Sequence, residues 1–425
     1  MASYDMLGWA KILFPFPRSL TGDGVRKTFD YLRDINPEIN LHSFYTGETV
    51  FDWEIPKEWS IRSAYIEHIG TGQRFADFSK CNLHVVGYSE PVDRVMEKVD
   101  LLKHIYTQKD QPTLIPYVTS YYKRQFGFCM SETEKIALPD GQYRVVIDSE
   151  LFDGELLLGD ALIKGQSPQE IMFSSYICHP SMANDELSGP VVMSALMKHV
   201  KDSFPYPKYS YRFIFVPETI GSIAYLARNL KFMKSNVICG FSLSCVGDER
   251  SFSHVRSRYG NNMADKALRA ALIGCENVKN YSYLERGSDE RQYCAPGIDL
   301  PLAGFCRTKY GEYPEYHTNA DNFDVVTAEG LQGAFDVMCG VIQAFEVGLY
   351  PSCTIKGEPQ LGKRDLYPST SQKGSNLAMQ VRMDFLAYAD GTNSLFEIAE
   401  IVGVPLKVIL EEATLMLEHG LITAV

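Results

Sequence analysis

Near-continuous apolar runs of strand length alternate with helical patterns from about residue 154 onward. Three such runs are IMFSSYIC at 171–178, YRFIFVP at 211–217 and VICGFSLSC at 237–245, and this continuity is typical of strands buried on both faces. The helical stretches LSGPVVMSALMKHV and SIAYLARNLKFM lie between them. The alternation predicts an α/β fold, a three-layer α/β/α sandwich around a largely parallel mixed sheet.

The first part of the chain has other patterns. The stretch SLTGDGVRKTFDYLRD at 19–34 combines a turn with apolar residues at helical spacing, which predicts an amphipathic helix after the turn. Short alternating or aromatic runs follow between Gly and Pro turns, namely SAYIEHI, NLHVVGY and QYRVVI, as in small β-rich modules. We therefore expect a discontinuous α/β domain, residues 1–54 and 149–350, interrupted by an inserted β-rich domain at 55–148.

The C-terminal part predicts a separate small domain. Residues 351–375 are rich in Pro, Gly and Ser and are expected to form a linker. Residues 376–425 then show three helical segments and a final strand-like LITAV, the pattern of a winged helix. This region holds seven carboxylates against Arg382 and Lys407 alone, which favours a protein-contact or packing role over DNA binding.

Composition narrows the class of protein. The 425 residues exceed what one hydrophobic core organises, so two or three domains are expected. The net charge of -12 disfavours an extended contact with nucleic acid. No apolar run reaches the length of a membrane span, and Pro15 and Pro17 break the N-terminal one, unlike a signal peptide. Ten cysteines without CxxC pairs predict a reducing, cytoplasmic location.

Polar residues with metal-binding chemistry follow the apolar runs, where parallel sheets collect their ligands. His179 and Asp185 lie in CHPSMANDELSG, and His317 lies in YGEYPEYHTNAD. Two imidazoles and one carboxylate suit a single Zn²⁺ with an open fourth position for water. Each residue also has an ordinary alternative: a histidine after a strand is commonly just hydrogen-bonded, and Asn184 with Asp185 could cap the helix from Leu187.

Further residues could complete a catalytic site. Glu218 ends the run YRFIFVP, where a carboxylate could take a proton from zinc-activated water and pass it to a leaving group. Its alternative role is to stabilise the N-terminus of the next helix. Arg291 or Arg307 could hold a carboxylate or stabilise an oxyanion, and the sequence does not choose between them. Tyr316, beside His317, would line the pocket with its aromatic ring and could stabilise the oxyanion.

These motifs resemble those of the zinc aminopeptidase and glutaminyl cyclase superfamily, whose α/β sandwich is shared more distantly with zinc carboxypeptidases. The stretch SDERQY is similar to the Ser-Asp stretch that usually precedes the last motif of that superfamily. The matching residues are His179 and Asn184-Asp185 with Ser188-Gly189 in the first motif, Glu218 as the general base of the second, and Tyr316-His317-Thr318 with Asp321 in the last.

Two positions depart from the superfamily pattern. Thr219 stands where the second motif has a carboxylate ligand, and Ser244 stands where the third motif has an aspartate. Two of the five ligands of a paired-metal centre are therefore missing. The resemblance then implies a mononuclear centre of His179, Asp185 and His317, closer to the carboxypeptidase type.

The whole chain resembles more closely a group of bacterial aminopeptidase-like proteins that have an inserted domain, a C-terminal winged helix and an association with surface-polysaccharide genes. The stretches RSLTGDGVR, CHPSMANDELSGP, SDERQY and YGEYPEYHTNAD carry this likeness. It implies a one-zinc hydrolase of amide bonds, with a peptide as the default substrate and an amide on an amino sugar or glycan precursor as a variant.

Two other functions remain open from the sequence. The first is a binding or scaffolding protein that lost catalysis with its second metal site and docks a protein partner through the winged helix. The second is a transcription factor with an enzyme-like sensor domain, which the acidic C-terminal region disfavours. A homo-oligomer is compatible with each of them.

Overall fold

The computed structural model describes residues 4–367 and 376–424. The chain begins with α1 (Met6–Leu13), α2 (Asp23–Ile35) and β1 (Asn40–Tyr45). Helix α2 follows the turn as predicted and buries Val25, Phe29 and Leu32. The turn requires a glycine, because Gly22 has a φ of 93° and a Cβ there would lie 2.3 Å from the carbonyl oxygen of Trp59.

The inserted region forms its own four-stranded antiparallel sheet, in the order β5-β4-β9-β6. The predicted runs SAYIEHI and QYRVVI lie in the paired strands β4 and β9. NLHVVGY instead begins as a 3-10 helix at Asn82–His84, because Leu83 to Val86 are buried consecutively, without the alternation of a half-buried strand. The elements are β2 (Thr49–Val50), β3 (Trp53–Glu54), β4 (Glu58–His68), β5 (Arg74–Phe75), β6 (Val92–Glu97), α3 (Lys98–Leu101), β7 (Ile105–Tyr106), β8 (Phe128–Cys129), α4 (Glu132–Ile136) and β9 (Gln142–Phe152).

The α/β part builds an eight-stranded mixed sheet. Its elements are β10 (Glu155–Ile163), β11 (Glu170–Tyr176), α5 (Ser188–Ser203), β12 (Ser210–Val216), α6 (Ile220–Asn236), β13 (Val237–Leu243), β14 (Phe252–Val255), α7 (Met263–Ala271), β15 (Val278–Tyr281), α8 (Glu290–Tyr293), β16 (Leu302–Cys306) and α9 (Ala328–Val347). The strand order is β1-β10-β12-β11-β13-β16-β14-β15, and the four strands from β12 to β16 in this order are parallel. The three predicted apolar runs form β11, β12 and β13 in its centre.

Helices cover both faces of this sheet, which confirms the three-layer prediction. Along β11, Ile171 and Phe173 pack into a hydrophobic cluster with α2, α5 and α9. Met172, between them, packs into a second cluster with α6 and the inserted sheet. The alternation follows from the two-residue period of a strand, which sends neighbouring side chains to opposite faces.

The C-terminal region has the helices and strands of a winged helix: β17 (Pro351–Cys353), α10 (Asn376–Tyr388), α11 (Leu395–Val402), α12 (Leu406–Glu418) and β18 (Ile422–Ala424). Strand β17 pairs antiparallel with β18 and lies inside the predicted linker 351–375, of which residues 368–375 lie outside the described residues. Phe396 and Ile409 are fully buried in the same cluster as α5 and α9, so the winged helix packs directly on the α/β part.

Two ion pairs extend this packing to α7. Lys266 contacts Glu397 at 2.5 Å, and Arg269 contacts Glu400 at 2.5 Å. Glu397 and Glu400 are two of the seven carboxylates that disfavour DNA binding by this region. Both therefore have basic partners within the chain. The domain boundaries stay predictions. In the described part of the chain, no helix combines the length and hydropathy needed to cross a membrane, and all ten cysteines are free thiols.

Candidate metal centre

The carboxyl ends of the central strands bring the three predicted ligands together. His179 follows β11, Asp185 lies in the single π-helical turn Ala183–Leu187 before α5, and His317 lies in the loop after β16. One ligand atom from each of the three lies within 4.8 Å of the others. His179 and Asp185 are buried, whereas the His317 side chain is 35% exposed, so the centre is open on one side.

The donor atoms fit a cation. Asp185 Oδ2 lies 2.9 Å from His317 Nε2, yet neither atom has a hydrogen-bond partner among the described residues. Burial opposes a charge on the His179 imidazole, but the carboxylates of Asp185, Glu186 and Glu218 together raise its pKa to about 9. The site therefore stabilises positive charge, and its two imidazoles and one carboxylate are a donor set that zinc accepts.

A buried ion pair supports His179 from behind. Glu186 accepts hydrogen bonds from Arg18 Nε at 2.9 Å and from the backbone N–H of His179 at 2.7 Å. Glu186 Oε2 also lies 3.5 Å from His179 Nδ1. Glu186 therefore fixes the His179 backbone and lies beside the ring nitrogen Nδ1, as outer carboxylates of metal-binding histidines do. Arg18 and Glu186 have fully buried side chains, and no sequence pattern predicted a role for either.

Asp185 is held in place from two sides. The Tyr176 hydroxyl donates to Asp185 Oδ1, and the Asp321 carboxylate accepts from the backbone N–H groups of Asn184 at 2.6 Å and Asp185 at 3.0 Å. Tyr313 donates to Asp321 at 2.8 Å. Burial and the nearby Asp185 raise the pKa of Asp321 to about 7. The motif Asp321 thus anchors the ligand loop through the backbone.

The alternative role of this loop as a helix cap is not observed. Among the described residues no side chain caps the N-terminus of α5 with a hydrogen bond, and its capping residue is Leu187. The Asn184 side chain instead contacts Asp248 and accepts from the backbone N–H of Gly247 at 2.8 Å. Asn184 therefore ties the ligand loop to the loop after β13.

The inserted region completes the wall around the imidazoles. The backbone N–H of Tyr117 donates to the carbonyl of His317 at 2.8 Å, and Ile115 exchanges two hydrogen bonds with Asn319 at 2.7 and 3.0 Å. The Tyr117 ring lies edge-on to both His179 and His317, with centroids 5.2 Å away in each case. His317 has a φ of 55°, a strained conformation for a residue with a Cβ, and these contacts hold it.

Tyr316 lies against the same histidine. Its ring stacks on that of His317 with centroids 3.9 Å apart and an angle of 13° between the planes, and Tyr313 meets it edge-on at 5.6 Å. Tyr316 is half-buried, as expected for the wall of a pocket.

Glu218 lies beside the ligands at the end of β12. Its Oε2 is 3.8 Å from His179 Nε2, and its side chain is 23% exposed, so it can reach a bound molecule. Burial raises the pKa of Glu218 well above its ordinary value, the nearby His179 lowers it, and Asp289 and Asp185 raise it further. The capping residue of α6 is Thr219, and no side chain of the described residues caps that helix with a hydrogen bond, so the alternative role of Glu218 at this helix rests on its charge alone.

A strained turn aims Glu218. Thr219 has φ 65° and ψ -74°, and the N–H of Ile220 donates to the carbonyl of Glu218 at 2.8 Å, which defines a γ-turn of the rare type. Asp289, from SDERQY, accepts from the N–H of Thr219 and from the Ser222 hydroxyl, both at 2.8 Å. This carboxylate anchors the turn.

The structure distinguishes the two candidate arginines. Arg291 donates to the Thr219 hydroxyl, lies 4.0 Å from Glu218 and is 38% exposed. Arg307 is buried, donates to backbone carbonyls and lies over the Phe252 ring at 3.9 Å. Only Arg291 of this pair contacts the candidate centre.

The two positions that depart from the superfamily pattern carry hydroxyl groups in place of carboxylates. The Thr219 hydroxyl accepts from Arg291, and the Ser244 hydroxyl lies 3.6 Å from the Cys306 thiol. The other group of potential ligands found among the described residues, Cys178 with His179 and Glu186, shares His179 with the first group. The two groups therefore overlap at His179.

Comparison with known proteins shows which families the chain matches. Residues 7–348 match a family described as a domain of unknown function (DUF4910), and residues 349–424 match a winged helix-turn-helix family. A Clostridium acetobutylicum protein, whose name refers to polysaccharide biosynthesis and an aminopeptidase-like domain, is 40% identical over 403 residues, covering 93% of this chain and 90% of that protein. The resemblance to bacterial aminopeptidase-like proteins with a C-terminal winged helix is confirmed.

Solved structures agree with this likeness. A crystal structure of a protein assigned as a peptidase from Clostridium acetobutylicum has a TM-score of 0.90 and 38% identity, covering 99% of this chain and 96% of that one. A zinc aminopeptidase from Bacillus subtilis has a TM-score of 0.56 and 15% identity, covering 80% and 95% of the two chains. At that identity, the similarity shows a shared fold only.

Proposed function

The chain belongs to the DUF4910 family, and from that premise we propose that it is a one-zinc hydrolase of amide bonds in peptides or peptide-like compounds. The observation that carries the proposal is the meeting of His179, Asp185 and His317 with Glu218 beside them. The three residues would hold the ion. The peptidase-like fold of the family supports the reaction class.

Side chains of this chain would perform the proton transfers. Glu218, whose pKa is raised by burial, is suited to accept a proton near neutral pH and to return it to the leaving amine. Zinc, when bound, supplies Lewis acidity that polarises a carbonyl and acidifies water. Arg291 is exposed beside Glu218 and would stabilise negative charge on the carbonyl oxygen, and Tyr316 would confine the substrate against His317.

Two experiments test this function together. The first measures zinc per chain in purified protein. The second measures hydrolysis of amino-acid amides, of peptides with blocked carboxyl ends and of peptides with blocked amino ends. We expect one zinc per chain and turnover of at least one of these classes, and the class identifies which end is recognised.

The decisive variant is Glu218→Gln, which keeps the shape and removes the base. We expect turnover to fall about 10²- to 10⁴-fold with zinc retained. Glu150→Gln, at a 60% exposed position in β9, is the matched control and should keep wild-type turnover. A zinc-loaded protein that hydrolyses none of these amides, or the same residual rate in wild type and Glu218→Gln, would support the binding or scaffolding alternative instead.

The name of the Clostridium relative suggests the biological setting. We propose that the reaction serves surface polysaccharide metabolism and that the winged helix is a packing and protein-docking module. Arg382, one of the two lysine or arginine residues at 376–425, is already paired with Glu412 at 2.8 Å. We expect no shift of duplex DNA at low salt, where electrostatic binding is strongest; a salt-sensitive shift would contradict this role.

A further inference from the structure

A concave surface feature involves the same segment of the inserted region that contacts the candidate metal centre. It is a cleft of about 340 Å³ between the segment after β1 and residues 120–124 of the inserted region. This volume lies in the range of small-molecule sites. Neither the proposed zinc ligands nor Glu218 line it, so the cleft needs its own explanation.

Aromatic rings form one side of the cleft. We call Tyr88, Tyr121 and Tyr122 the aromatic wall, in which Tyr122 is exposed, Tyr121 is half-buried and Tyr88 is buried. Tyr121 meets Tyr88 edge-on at 6.2 Å and Tyr122 at 5.0 Å, and Tyr122 lies 6.1 Å from Trp53. The Tyr122 ring is 53% exposed, although its hydroxyl is fixed by donating to the carbonyl of Glu54 at 2.6 Å. A rigid, exposed aromatic face in a cleft is preorganised to stack with a ligand.

The rest of the lining combines polar and apolar side chains. Lys57 and Asp153 form an ion pair at 2.6 Å, Ser120 and Lys123 add further polar groups, and Ile55, Pro56 and Leu151 are apolar. Arg124 also lines the cleft and pairs with Glu90 at 2.6 Å. The polar members offer donors and acceptors beside the aromatic face.

The aromatic wall leads to the metal centre along one segment. Tyr117, which contacts both imidazoles, lies four residues before Tyr121. Four residues span at most about 14 Å. A substrate of that length would contact both the cleft and the candidate metal centre.

We propose that the cleft binds a sugar ring, so that the amide substrate is carried on a saccharide. A pyranose presents a face of weakly positive C–H groups, which pack on the negative face of an aromatic ring, and a rim of hydroxyls, which need polar partners. The aromatic wall and the polar members of the lining supply both. The substrate assignment rests on the proposed function, whereas sugar binding itself does not.

The binding experiment uses saturation-transfer NMR on the full chain with N-acetylglucosamine, and with phenylalanine amide as the peptide-like probe. We expect transfer to the ring C–H protons of the sugar and about tenfold weaker binding in Tyr122→Leu. Tyr122→Phe keeps the ring and should keep binding. Tyr206→Leu, at an 84% exposed tyrosine before β12, is the control and should bind like wild type.

Three results would overturn the proposal. They are no transfer to the sugar at millimolar concentration, transfer that Tyr121→Leu and Tyr122→Leu both leave unchanged, and transfer to phenylalanine amide alone that these variants abolish. The third result would identify the cleft as a peptide side-chain pocket. Circular dichroism of each variant separates loss of binding from loss of folding.

A kinetic experiment tests the substrate class. We expect kcat/KM for N-glycylglucosamine to exceed that for glycinamide by about tenfold, and this ratio to approach one in Tyr122→Leu. A ratio of one in wild type overturns the substrate assignment. If neither compound nor any other amide is hydrolysed, the proposed function fails, and the NMR result still decides whether the cleft binds sugars.

Discussion

The two halves of the candidate centre lie at the same sheet edge but differ in charge. The ligand half consists of His179, Asp185 and His317, and within the described residues Asp185 Oδ2 and His317 Nε2 have no hydrogen-bond partner. The hydroxyl half consists of Thr219 and Ser244, whose hydroxyls contact Arg291 and a thiol. The comparison teaches that the fold provides room at a strand end, while individual side chains decide whether a cation can bind there.

The two halves also differ in their supports. Behind the ligand half lies the buried pair of Arg18 and Glu186. Behind the hydroxyl half, Asp289 accepts from a backbone N–H and from Ser222 and holds a strained turn. The first support lies beside the proposed metal ligand His179, and the second holds the turn after the proposed proton carrier Glu218. Four predictions test this difference, in order of decreasing effect.

Removing a residue of the ligand half should have the largest effect. His317→Ala deletes one of three protein donors. Loss of a residue that only supports a metal ligand lowers metal affinity by about 10- to 100-fold. Because His317 is itself a proposed ligand, we expect zinc affinity to fall by more than about 100-fold. Competition with a chelator measures it. The control His419→Ala, at an exposed histidine after α12, should bind zinc like wild type. If both variants lose zinc affinity equally, His317 is not a ligand.

Breaking the buried support should destabilise the protein. Arg18→Met leaves Glu186 as an uncompensated buried charge, and we expect the free energy of unfolding to fall by about 3–5 kcal/mol. Urea denaturation measures this change. Arg62→Met breaks the Arg62–Asp148 pair, in which both side chains are substantially exposed, and should unfold close to wild type. If Arg18→Met leaves the free energy of unfolding nearly unchanged, Glu186 is protonated or hydrated in the folded variant.

The hydroxyl of Tyr176 should matter through Asp185. Tyr176→Phe removes the donor to Oδ1, and we expect zinc affinity to fall about 10- to 100-fold, the range for outer partners of metal ligands. The control Tyr293→Phe removes a similarly buried hydroxyl, which bonds Ser174 at 2.8 Å. If both variants weaken zinc binding equally, the effect is one of packing and not of ligand orientation.

Restoring carboxylates to the hydroxyl half should have the smallest effect. We expect Thr219→Glu with Ser244→Asp to raise zinc from one to two ions per chain, with the second ion bound more weakly, because it depends on a strained backbone at Thr219. Titration with zinc measures the stoichiometry. Thr219→Gln with Ser244→Asn is the uncharged control. A stoichiometry that stays at one would show that more than two side chains separate the halves.

Local patterns predicted much of the fold. The strands β11, β12 and β13 are buried on both faces, so their apolar continuity is visible in the sequence. The run NLHVVGY was grouped with strand-like patterns but begins as a 3-10 helix, because tertiary contacts bury consecutive positions of the loop that contains Asn82–His84. Periodicity reports burial only where an element is regular.

The candidate site also contains residues that local patterns predicted and one that they did not. His179, Asp185, His317 and Glu218 stand at strand ends or in polar motifs, and their types and order allowed their prediction. Tyr117 had no such signal, because it lies in an irregular segment of the inserted region and reaches the centre through the docking of that region.

The sequence by itself determined the alternation of the sheet, the family motifs and the replacement of two ligands by hydroxyl residues, since each depends only on residue type and local order. The tertiary structure alone decided that Arg291 rather than Arg307 approaches Glu218, that Glu186 supports His179 and that the inserted region closes over His317. These contacts join residues far apart in the chain, and their distances depend on how separate elements pack, which no local pattern encodes.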